Sequence, residues 1–351
     1  MSPRRDEPRP RRRTRSRLRV SQNRVGYLFA SPWLIGLVGL TLLPMIASLL
    51  LSFCRWKGLD LGEIEWVGPA HYREALRGIR TGVVRDVEQL ARPATPASFD
   101  APGDPDVYIS LKNTIYYTFL AVPIGLGVSL MLAVLLNQKL KGIGLFRTIF
   151  YMPHVIGGVA TIMMWMWVFN PDFGLLNSLL RGAAQPLVWA GWLAANWQPP
   201  GWLYSEEWSK PALVIMSVWG AGGAMLIFLA ALQNVPEQLY EAARIDGAGR
   251  IAQFRHVTLP QISPAIFFNL VMGIIGTFQV FNSAYIITGG TGGEGKSLLF
   301  YVLYLYTKAF VDFEMGYASA LAWVLFVIIL IFTMLVVRSS ALWVYYEGER
   351  P

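Results

Sequence analysis

The sequence predicts an all-α protein that crosses a membrane six times. Of its 351 residues, 54% are hydrophobic and only 15% are charged, whereas soluble domains usually contain about 25% charged residues. Six segments are apolar over about 20 residues, the length that a helix needs to cross a bilayer. No Asp, Glu, Lys or Arg falls in the central part of any of them.

The predicted transmembrane segments cover most of the chain. They are 25–54, 109–137, 147–169, 211–233, 263–288 and 317–338. Several prolines lie inside these segments or at their ends, and membrane helices tolerate such kinks where neighbouring groups satisfy the freed carbonyls.

Lys and Arg residues near the ends of the segments predict the orientation. The first 24 residues contain ten Arg, and the connections 138–146 and 234–262 are also basic. Since cytoplasmic connections are enriched in Lys and Arg, we expect both connections on the cytoplasmic side. Six crossings then make 1–24 and 339–351 cytoplasmic tails. An arginine-rich tail could also bind nucleic acid, but only a membrane segment follows it, so no nucleic-acid partner is expected.

The connection 55–108 is predicted to be an external loop with little regular structure. It contains seven Lys or Arg, nine Asp or Glu and several prolines. The single cysteine, Cys54, excludes an internal disulfide. The three histidines are scattered, so no metal site is predicted.

A polar stretch at 234–262 separates the fourth and fifth segments. Asn234 is predicted to cap a short helix that has Pro236 in its first turn and continues to Asp246. Gly247 can then supply the left-handed turn that ends such a helix.

A second short amphipathic helix is expected after Gly247. Ile251, Phe254 and Val257 would share one face of it, and Pro260 would end it. Pro264 would then open the fifth segment.

The polar stretch resembles the EAA loop of the integral-membrane subunits of ATP-binding-cassette (ABC) importers. The family pattern is Glu-Ala-Ala, three residues, Gly, nine residues, Ile, one residue and Leu-Pro, and Val257 replaces the Ile here. The matching positions are Glu241, Ala242, Ala243, Gly247, Leu259 and Pro260. An amphipathic hairpin lying on lipid headgroups is the alternative interpretation.

The resemblance implies that the loop docks in a groove on a separate ATPase subunit. Ala242 and Ala243 would form a small, closely packed face. Glu241 would be the charged anchor, pairing with an Arg of the partner. Asp246 and Gly247 would complete the docking helix.

The resemblance extends over most of 25–338 and is to permeases of the carbohydrate-uptake group, related to the maltose and glycerol-phosphate permeases. It is carried by Tyr27–Phe53, Phe146–Pro153, Phe169–Asn177 and Phe278–Asn282. It implies the transmembrane-domain fold of type I ABC importers, with 109–338 as the permease core. Residues 55–108 and 180–210 match nothing in that family.

The same resemblance implies a set of partners. A second, homologous permease subunit is expected because six segments are too few for a sealed two-sided pathway, and related systems favour a heterodimer. Two ABC ATPase subunits would use ATP and magnesium, while this chain would bind no cofactor and would not be an enzyme. An extracytoplasmic solute-binding protein would dock near 170–210 and 289–316. The location would be a bacterial plasma membrane.

Polar residues inside membrane segments are candidates for the solute pathway. Gln279 and Asn282 are three apart, so we expect them to share a helix face with amides suited to sugar hydroxyls. Trp219 and Gly220 allow stacking and close approach in the fourth segment. Tryptophan also marks membrane interfaces, and amides also join helices.

Residues 290–297, GTGGEGKS, satisfy the phosphate-binding loop pattern G-x-x-x-x-G-K-S. A working loop of this kind needs a strand before it and a soluble helix after it. A membrane segment precedes this one, so no nucleotide site is predicted.

An ion-coupled secondary transporter of a small polar solute remains the alternative function. Proton coupling usually needs an acidic residue or a histidine inside the membrane. The predicted segments contain no Asp or Glu, and His154 is their only histidine.

Overall fold

The computed structural model describes residues 15–58, 64–91, 103–138, 140–190, 192, 194 and 197–345. The chain divides into two units, Met1–Leu51 and Ser52–Pro351.

The first unit is helical in the part that the structure describes. Helix α1, Arg15–Gly36, continues through a π-helical turn, Leu37–Leu42, into α2, Leu43–Leu51. The apolar run Gly26–Leu51 is long enough to cross a membrane. Its large side chains are mostly exposed, as in Phe29, Leu40 and Ile46, which suits a helix surrounded by apolar groups rather than by water. This run coincides with the first predicted segment.

The second unit contains thirteen α-helices and one two-stranded hairpin among its described residues. The strands are β1, Cys54–Arg55, and β2, Glu65–Trp66. The helices are α3 Ala70–Ala91, α4 Pro105–Leu136, α5 Ile143–Val155, α6 Gly158–Val168, α7 Leu175–Trp189, α8 Ser209–Trp219, α9 Gly222–Gln233, α10 Glu237–Ile245, α11 Arg250–Gln253, α12 Leu259–Phe278, α13 Asn282–Thr288, α14 Tyr301–Tyr306 and α15 Met315–Ser340.

The predicted transmembrane segments are found as helices, but two of them are bent. The runs Pro105–Leu136, Arg250–Thr288 and Met315–Ser340 are each long and apolar enough to cross a membrane. The pairs α5/α6 and α8/α9 are each long and apolar enough to cross a membrane when their two helices are taken together, and they are bent by 96° and 48° respectively. With the first unit, the described residues therefore hold four continuous crossings, or six when each bent pair counts as one.

The two bends differ in their local structure. The α5/α6 bend falls at Ile156 and Gly157, which have extended backbones. At the α8/α9 bend, the carbonyl of Ala221 accepts a hydrogen bond of 3.0 Å from the Met225 N–H of α9 and another of 3.0 Å from the buried Ser129 hydroxyl of α4. The Ser129 hydroxyl therefore joins α4 to this bend.

The expectation that 55–108 has little regular structure is wrong for its described part. Helix α3 spans 22 residues of this connection and packs against α4 and α15. The approach of α3 to the start of α4 is so close that a Cβ at Gly78 would overlap the Asp104 carbonyl, and one at Gly82 would overlap the Tyr108 ring. Small residues four apart allow such close approach of two helices.

Two buried clusters hold the second unit together. The larger includes Phe169, Phe278, Tyr301 and Leu321. The smaller is formed by residues of α4, α9 and α12, namely Ala133, Leu136, Met225, Phe228, Leu229, Leu232 and Ile262. The smaller cluster packs against Leu259 at the start of α12 and so supports the polar stretch before it.

Candidate functional site

The polar stretch at 234–262 forms a short exposed helix, α10, that ends in a glycine turn. The backbone N–H of Gly247 donates to Arg244 over 3.0 Å, and that of Ala248 donates to Ala243 over 2.8 Å. Gly247 has φ +79°. These features define a Schellman motif, in which a left-handed residue satisfies the last carbonyls of a helix. The predicted end of the helix at Asp246 and Gly247 is found in the structure.

The predicted start of this helix is wrong. Asn234 is the C-cap of α9, and Pro236 is the N-cap of α10 without a side-chain cap. A proline at this boundary fixes the entry of the chain, since its φ is already restricted. Asn234 therefore does not take the N-cap position that was expected for it.

The residues after Gly247 also differ from the prediction. Helix α11 passes through a π-helical turn, Phe254–Thr258, directly into α12. Pro260 follows this π-helical turn at the start of α12 and does not end a helix. Pro264 falls inside α12 instead of opening it.

The predicted docking residues lie on one accessible surface of the second unit. Glu241, Ala242, Asp246 and Gly247 are exposed, and Ala243 is half-buried. Ile245 and Ile251 on the same stretch are 86% and 85% exposed.

Leu259 and Pro260 are not part of this surface. Leu259 is half-buried and packs against the smaller cluster, and Pro260 is half-buried at the first turn of α12. They join the exposed helix to the buried end of the fifth crossing.

A direct side-chain contact also joins α10 to this crossing. The hydroxyl of Tyr240 lies 3.0 Å from that of Thr258, which is buried at the end of the π-helical turn. The sequence analysis did not identify this pair, because no local pattern relates residues 18 positions apart across a loop.

The chain segment after α15 reaches the same region. The backbone N–H of Tyr345 donates to the Ser263 hydroxyl over 2.8 Å. A shallow cavity of about 240 Å³ is lined by Leu239, His256, Pro260 and Tyr345, among others. Residues 339–345 and the polar stretch therefore lie at the same end of the helices, as the orientation analysis expected.

The four candidate pathway residues lie at two breaks in the helices. Trp219 ends α8 at the 48° bend, and Gly220 follows it. Gln279 is the C-cap of α12, while Asn282 begins α13. Trp219, Gln279 and Asn282 are exposed within the described chain.

The expectation that Gln279 and Asn282 share one helix face is wrong. Val280 and Phe281 interrupt the helix between them, so the regular spacing of 100° per residue no longer applies. No hydrogen bond or ring contact in the described part of the chain links these two residues with Trp219. Trp219 and Gly220 lie at the α8/α9 bend, whereas Gln279 and Asn282 lie at the break between α12 and α13.

A buried donor lies beside Trp219. The ring of Trp165 meets that of Trp219 edge to face, with centroids 5.9 Å apart. Its Nε1–H is buried and has no hydrogen-bond partner within the described residues. Buried donors are seldom left unpaired, so Trp165 is a further residue of interest at the bend.

The loop at 290–297 lacks the geometry of a phosphate-binding loop. Helix α13, not a strand, precedes it. The Lys296 ammonium contacts the Asp106 carboxylate at 2.6 Å, and Asn113 donates to the Lys296 carbonyl over 2.8 Å. The Ser297 hydroxyl is buried against that of Ser209. These contacts tie the loop to α4 and α8.

Comparison with known proteins identifies the family. Residues 115–344 match the family described as binding-protein-dependent transport system inner membrane component. The chain belongs to this family. It is therefore an inner-membrane transport component with several membrane crossings, and not an enzyme.

Relatives of the permease cover nearly its whole length. It is 40% identical over 339 residues to the probable ABC transporter permease protein YesP of Bacillus subtilis, covering 95% of this chain and 96% of the relative. It is 30% identical over 334 residues to the arabinooligosaccharides transport system permease protein AraP of the same species, covering 94% and 91%.

A solved structure shares the permease's fold. A chain from the crystal structure of a bacterial alginate ABC transporter, in complex with an alginate pentasaccharide-bound periplasmic protein, aligns with a TM-score of 0.69. The alignment covers 93% of this permease and 97% of that chain at 20% identity. The predicted all-α fold of an ABC importer permease is thus confirmed.

Proposed function

We propose that this chain is the permease subunit of an ATP-driven, binding-protein-dependent importer of a sugar or related polyol. The observation that carries the proposal is the exposed helix α10, closed by the Gly247 turn and joined by Tyr240 to the fifth crossing. The names of two relatives support the solute class, since one is an arabinooligosaccharide permease and another a lactose permease.

Helix α10 receives force from a separate ATPase subunit in this scheme. Its exposed Ala242 and half-buried Ala243 let the helix lie deep in a groove, as helix-in-groove binding requires. Glu241 pairs with a cation of the partner, a contact that strengthens as water is excluded. Ile245 and Ile251 add the apolar area that the partner covers.

The force then passes into the crossings. Tyr240 and the half-buried Leu259 and Pro260 connect α10 to α12. Moving α10 rocks α12 and reverses which side of the membrane the pathway faces, as in other alternating-access changes.

The two helix breaks line the pathway. Irregular backbone at membrane depth is tolerated only where protein buries it or where it borders a water-filled cavity. Exposed Trp219 and Gln279 lie at these breaks, with Gly220 and Asn282 beside them. An indole face stacks on the C–H surface of a sugar, and amides hydrogen-bond to its hydroxyls.

The remaining parts of the importer are other chains. A second, homologous permease completes the pathway as a heterodimer, and two ABC ATPase subunits hydrolyse ATP with magnesium. A solute-binding protein docks near 170–210 and 289–316. This chain itself binds no cofactor.

Reconstitution tests the proposal directly. The assembled importer is placed in lipid vesicles, and solute uptake and ATP hydrolysis are measured for wild type, Glu241→Ala and the control Gln238→Ala on the same helix. We expect Glu241→Ala to abolish most uptake without changing the affinity of the binding protein for solute, and Gln238→Ala to behave as wild type. Solute accumulation by this chain alone, driven by an ion gradient, would instead establish the secondary-transporter alternative.

A further inference from the structure

Helix α7, Leu175–Trp189, has a polar residue on the side that faces the protein. Asn177 is 1% exposed. Its Nδ2 donates to the carbonyls of Pro171 and Pro200 over 3.1 Å and 3.3 Å. Its Oδ1 accepts from the Nε1–H of Trp202 over 2.6 Å. This side of the helix is therefore fixed to the protein by satisfied polar contacts as well as by the buried Ala184.

The opposite side of α7 is apolar and exposed. Leu175 and Leu179 are one turn apart and 50% and 62% exposed. Trp189, which falls on the same side by helical geometry, is 88% exposed. We call Leu175, Leu179, Pro186 and Trp189 the outer apolar strip. A helix that faced water here would carry polar residues at these positions.

A third strip of α7 is polar and exposed. Ser178, Arg181 and Gln185 are spaced at i, i+3 and i+7, so they form one line along the helix. The Arg181 guanidinium donates to the carbonyls of Asp172 and Pro171 over 3.0 Å and 2.8 Å. The helix thus has one side towards protein, one side that is polar and one side that is apolar yet uncovered by the described residues.

We propose that α7 lies in the membrane interface with its outer apolar strip inserted among the lipids. A helix with a polar strip beside an apolar strip lies in the plane of the interface. Only six residues, 169–174, separate α7 from α6, which is half of a bent crossing. Since the chain is an inner-membrane component, a helix so close to the end of a crossing lies at the depth of the lipid headgroups.

The aromatic residues around α7 agree with this depth. Phe173 before the helix is 64% exposed, and Trp192 after it is 82% exposed. Tryptophan is enriched at membrane–water interfaces, where its ring is partly in lipid and its N–H is hydrated. The outer strip therefore anchors the α6–α7 connection to the bilayer and limits how far this end of the bent crossing can move.

Spin-label accessibility tests the proposal. Because Cys54 is the only cysteine in the chain, a Cys54→Ser background permits a single label at Leu179→Cys on the outer strip or at Ser178→Cys on the polar strip. The assembled importer is reconstituted in vesicles of phosphatidylethanolamine and phosphatidylglycerol. Collision with oxygen, which concentrates in lipid, is compared with collision with a nickel chelate, which stays in water.

We expect oxygen to exceed the nickel chelate at Leu179→Cys and the order to invert at Ser178→Cys. Equal access of the nickel chelate to both positions would show a water-facing helix and overturn the proposal. Exclusion of both reagents at Leu179→Cys would show that a protein subunit covers the strip, which also overturns it. Leu175→Cys provides a second outer position if Leu179→Cys impairs assembly.

Discussion

The hydroxyl of Tyr240 on α10 lies 3.0 Å from the hydroxyl of Thr258, where the π-helical turn enters α12. Tyr240 is half-buried and Thr258 is buried, so the pair is partly shielded from water. It connects the helix that we propose docks on the ATPase to the fifth crossing. A contact placed there is suited to transmitting movement of α10 to the pathway.

Replacing Tyr240 with phenylalanine should loosen this connection. The change removes one hydrogen bond, which contributes about 0.5–1.5 kcal/mol, but retains the aromatic ring. We expect Tyr240→Phe to lower the amount of solute imported per ATP hydrolysed in reconstituted vesicles. Tyr204→Phe is the control, because the Tyr204 hydroxyl makes no hydrogen bond within the described residues. An unchanged ratio in Tyr240→Phe would show that the contact plays no part in coupling.

Substitution of Gly247 should be harmful because of the backbone conformation at this position, and not because a larger side chain would clash. No atom lies within 4 Å of a Cβ at Gly247 or at Gly249, but only Gly247 has a positive φ, +79°. A residue with a Cβ pays about 1–2 kcal/mol for that conformation. We expect Gly247→Ala to weaken co-purification with the ATPase and to reduce uptake, while Gly249→Ala does neither.

Asparagine provides a graded test at the same position. It tolerates the left-handed conformation better than alanine does, so Gly247→Asn should retain more uptake than Gly247→Ala. Full uptake by Gly247→Pro, which cannot adopt this φ, would contradict the proposed role of the turn.

The packing of helix α3 should depend on Gly78 and Gly82, which lie close to the start of α4. A Cβ at Gly78 would overlap the Asp104 carbonyl, and backbone cannot move aside as a flexible side chain can. Overpacking of this kind typically costs about 1–3 kcal/mol. We expect Gly78→Ala to lower the denaturation midpoint and to expose α3 to protease. Gly182→Ala in α7 is the control, since its Cβ would meet open space, and a lowered midpoint there would point to a general effect of replacing helix glycines.

Acid should weaken the attachment of α3. Burial alone would raise the pKa of the Asp86 carboxyl, but hydrogen bonds from Lys112 and from Tyr108 at 2.7 Å outweigh it, so the pKa falls below the ordinary value of 3.8. A lowered carboxyl pKa stabilises the folded state above pH 3.8, and this contribution is lost as pH falls through the folded pKa. Protease protection of α3 should therefore decline below about pH 4.

The Asp86→Asn variant isolates this effect. It should show weaker protection of α3 at pH 7 and a smaller further loss on acidification than wild type. An identical acid profile in both proteins would assign the transition to another group.

Lys296 should have no part in ATP hydrolysis. Its ammonium is about half exposed and paired with Asp106 at 2.6 Å, and such pairs contribute about 0–1 kcal/mol. We expect Lys296→Met to leave hydrolysis by the assembled importer unchanged and to destabilise the chain slightly, as Asp106→Asn also should. Loss of hydrolysis with assembly intact would revive the nucleotide interpretation of this loop.

The sequence predicted the parts of the site that depend on local chemistry. The glycine turn at 247 could be predicted because only a few neighbouring residues decide how a helix ends. The capping role of Asn234 failed because α9 continues to Gln233 and uses Asn234 as its own C-cap. Pro260 was assigned as a helix stop, but the chain continues as helix through it, from the π-helical turn into α12.

Contacts between residues that are far apart in the chain could not be predicted from the sequence. Helix α3 was missed because it is held by packing of Gly78 and Gly82 on α4, which leaves little periodic signal in a charged segment. The separation of Gln279 from Asn282 depends on a helix break at Val280 and Phe281. The link from Tyr240 to Thr258 forms only when the polar stretch folds back along α12.

The membrane crossings, their approximate bounds and the polar stretch with its glycine turn could be predicted from the sequence, because a bilayer demands about 20 apolar residues for each crossing and a turn depends on a few neighbouring dihedrals. The tertiary structure alone decided where the crossings bend, how α3 docks and which residues connect α10 to α12. Those features arise from close approach between helices and from hydrogen bonds between residues far apart in the chain, such as Ser129 to Ala221 and Tyr240 to Thr258.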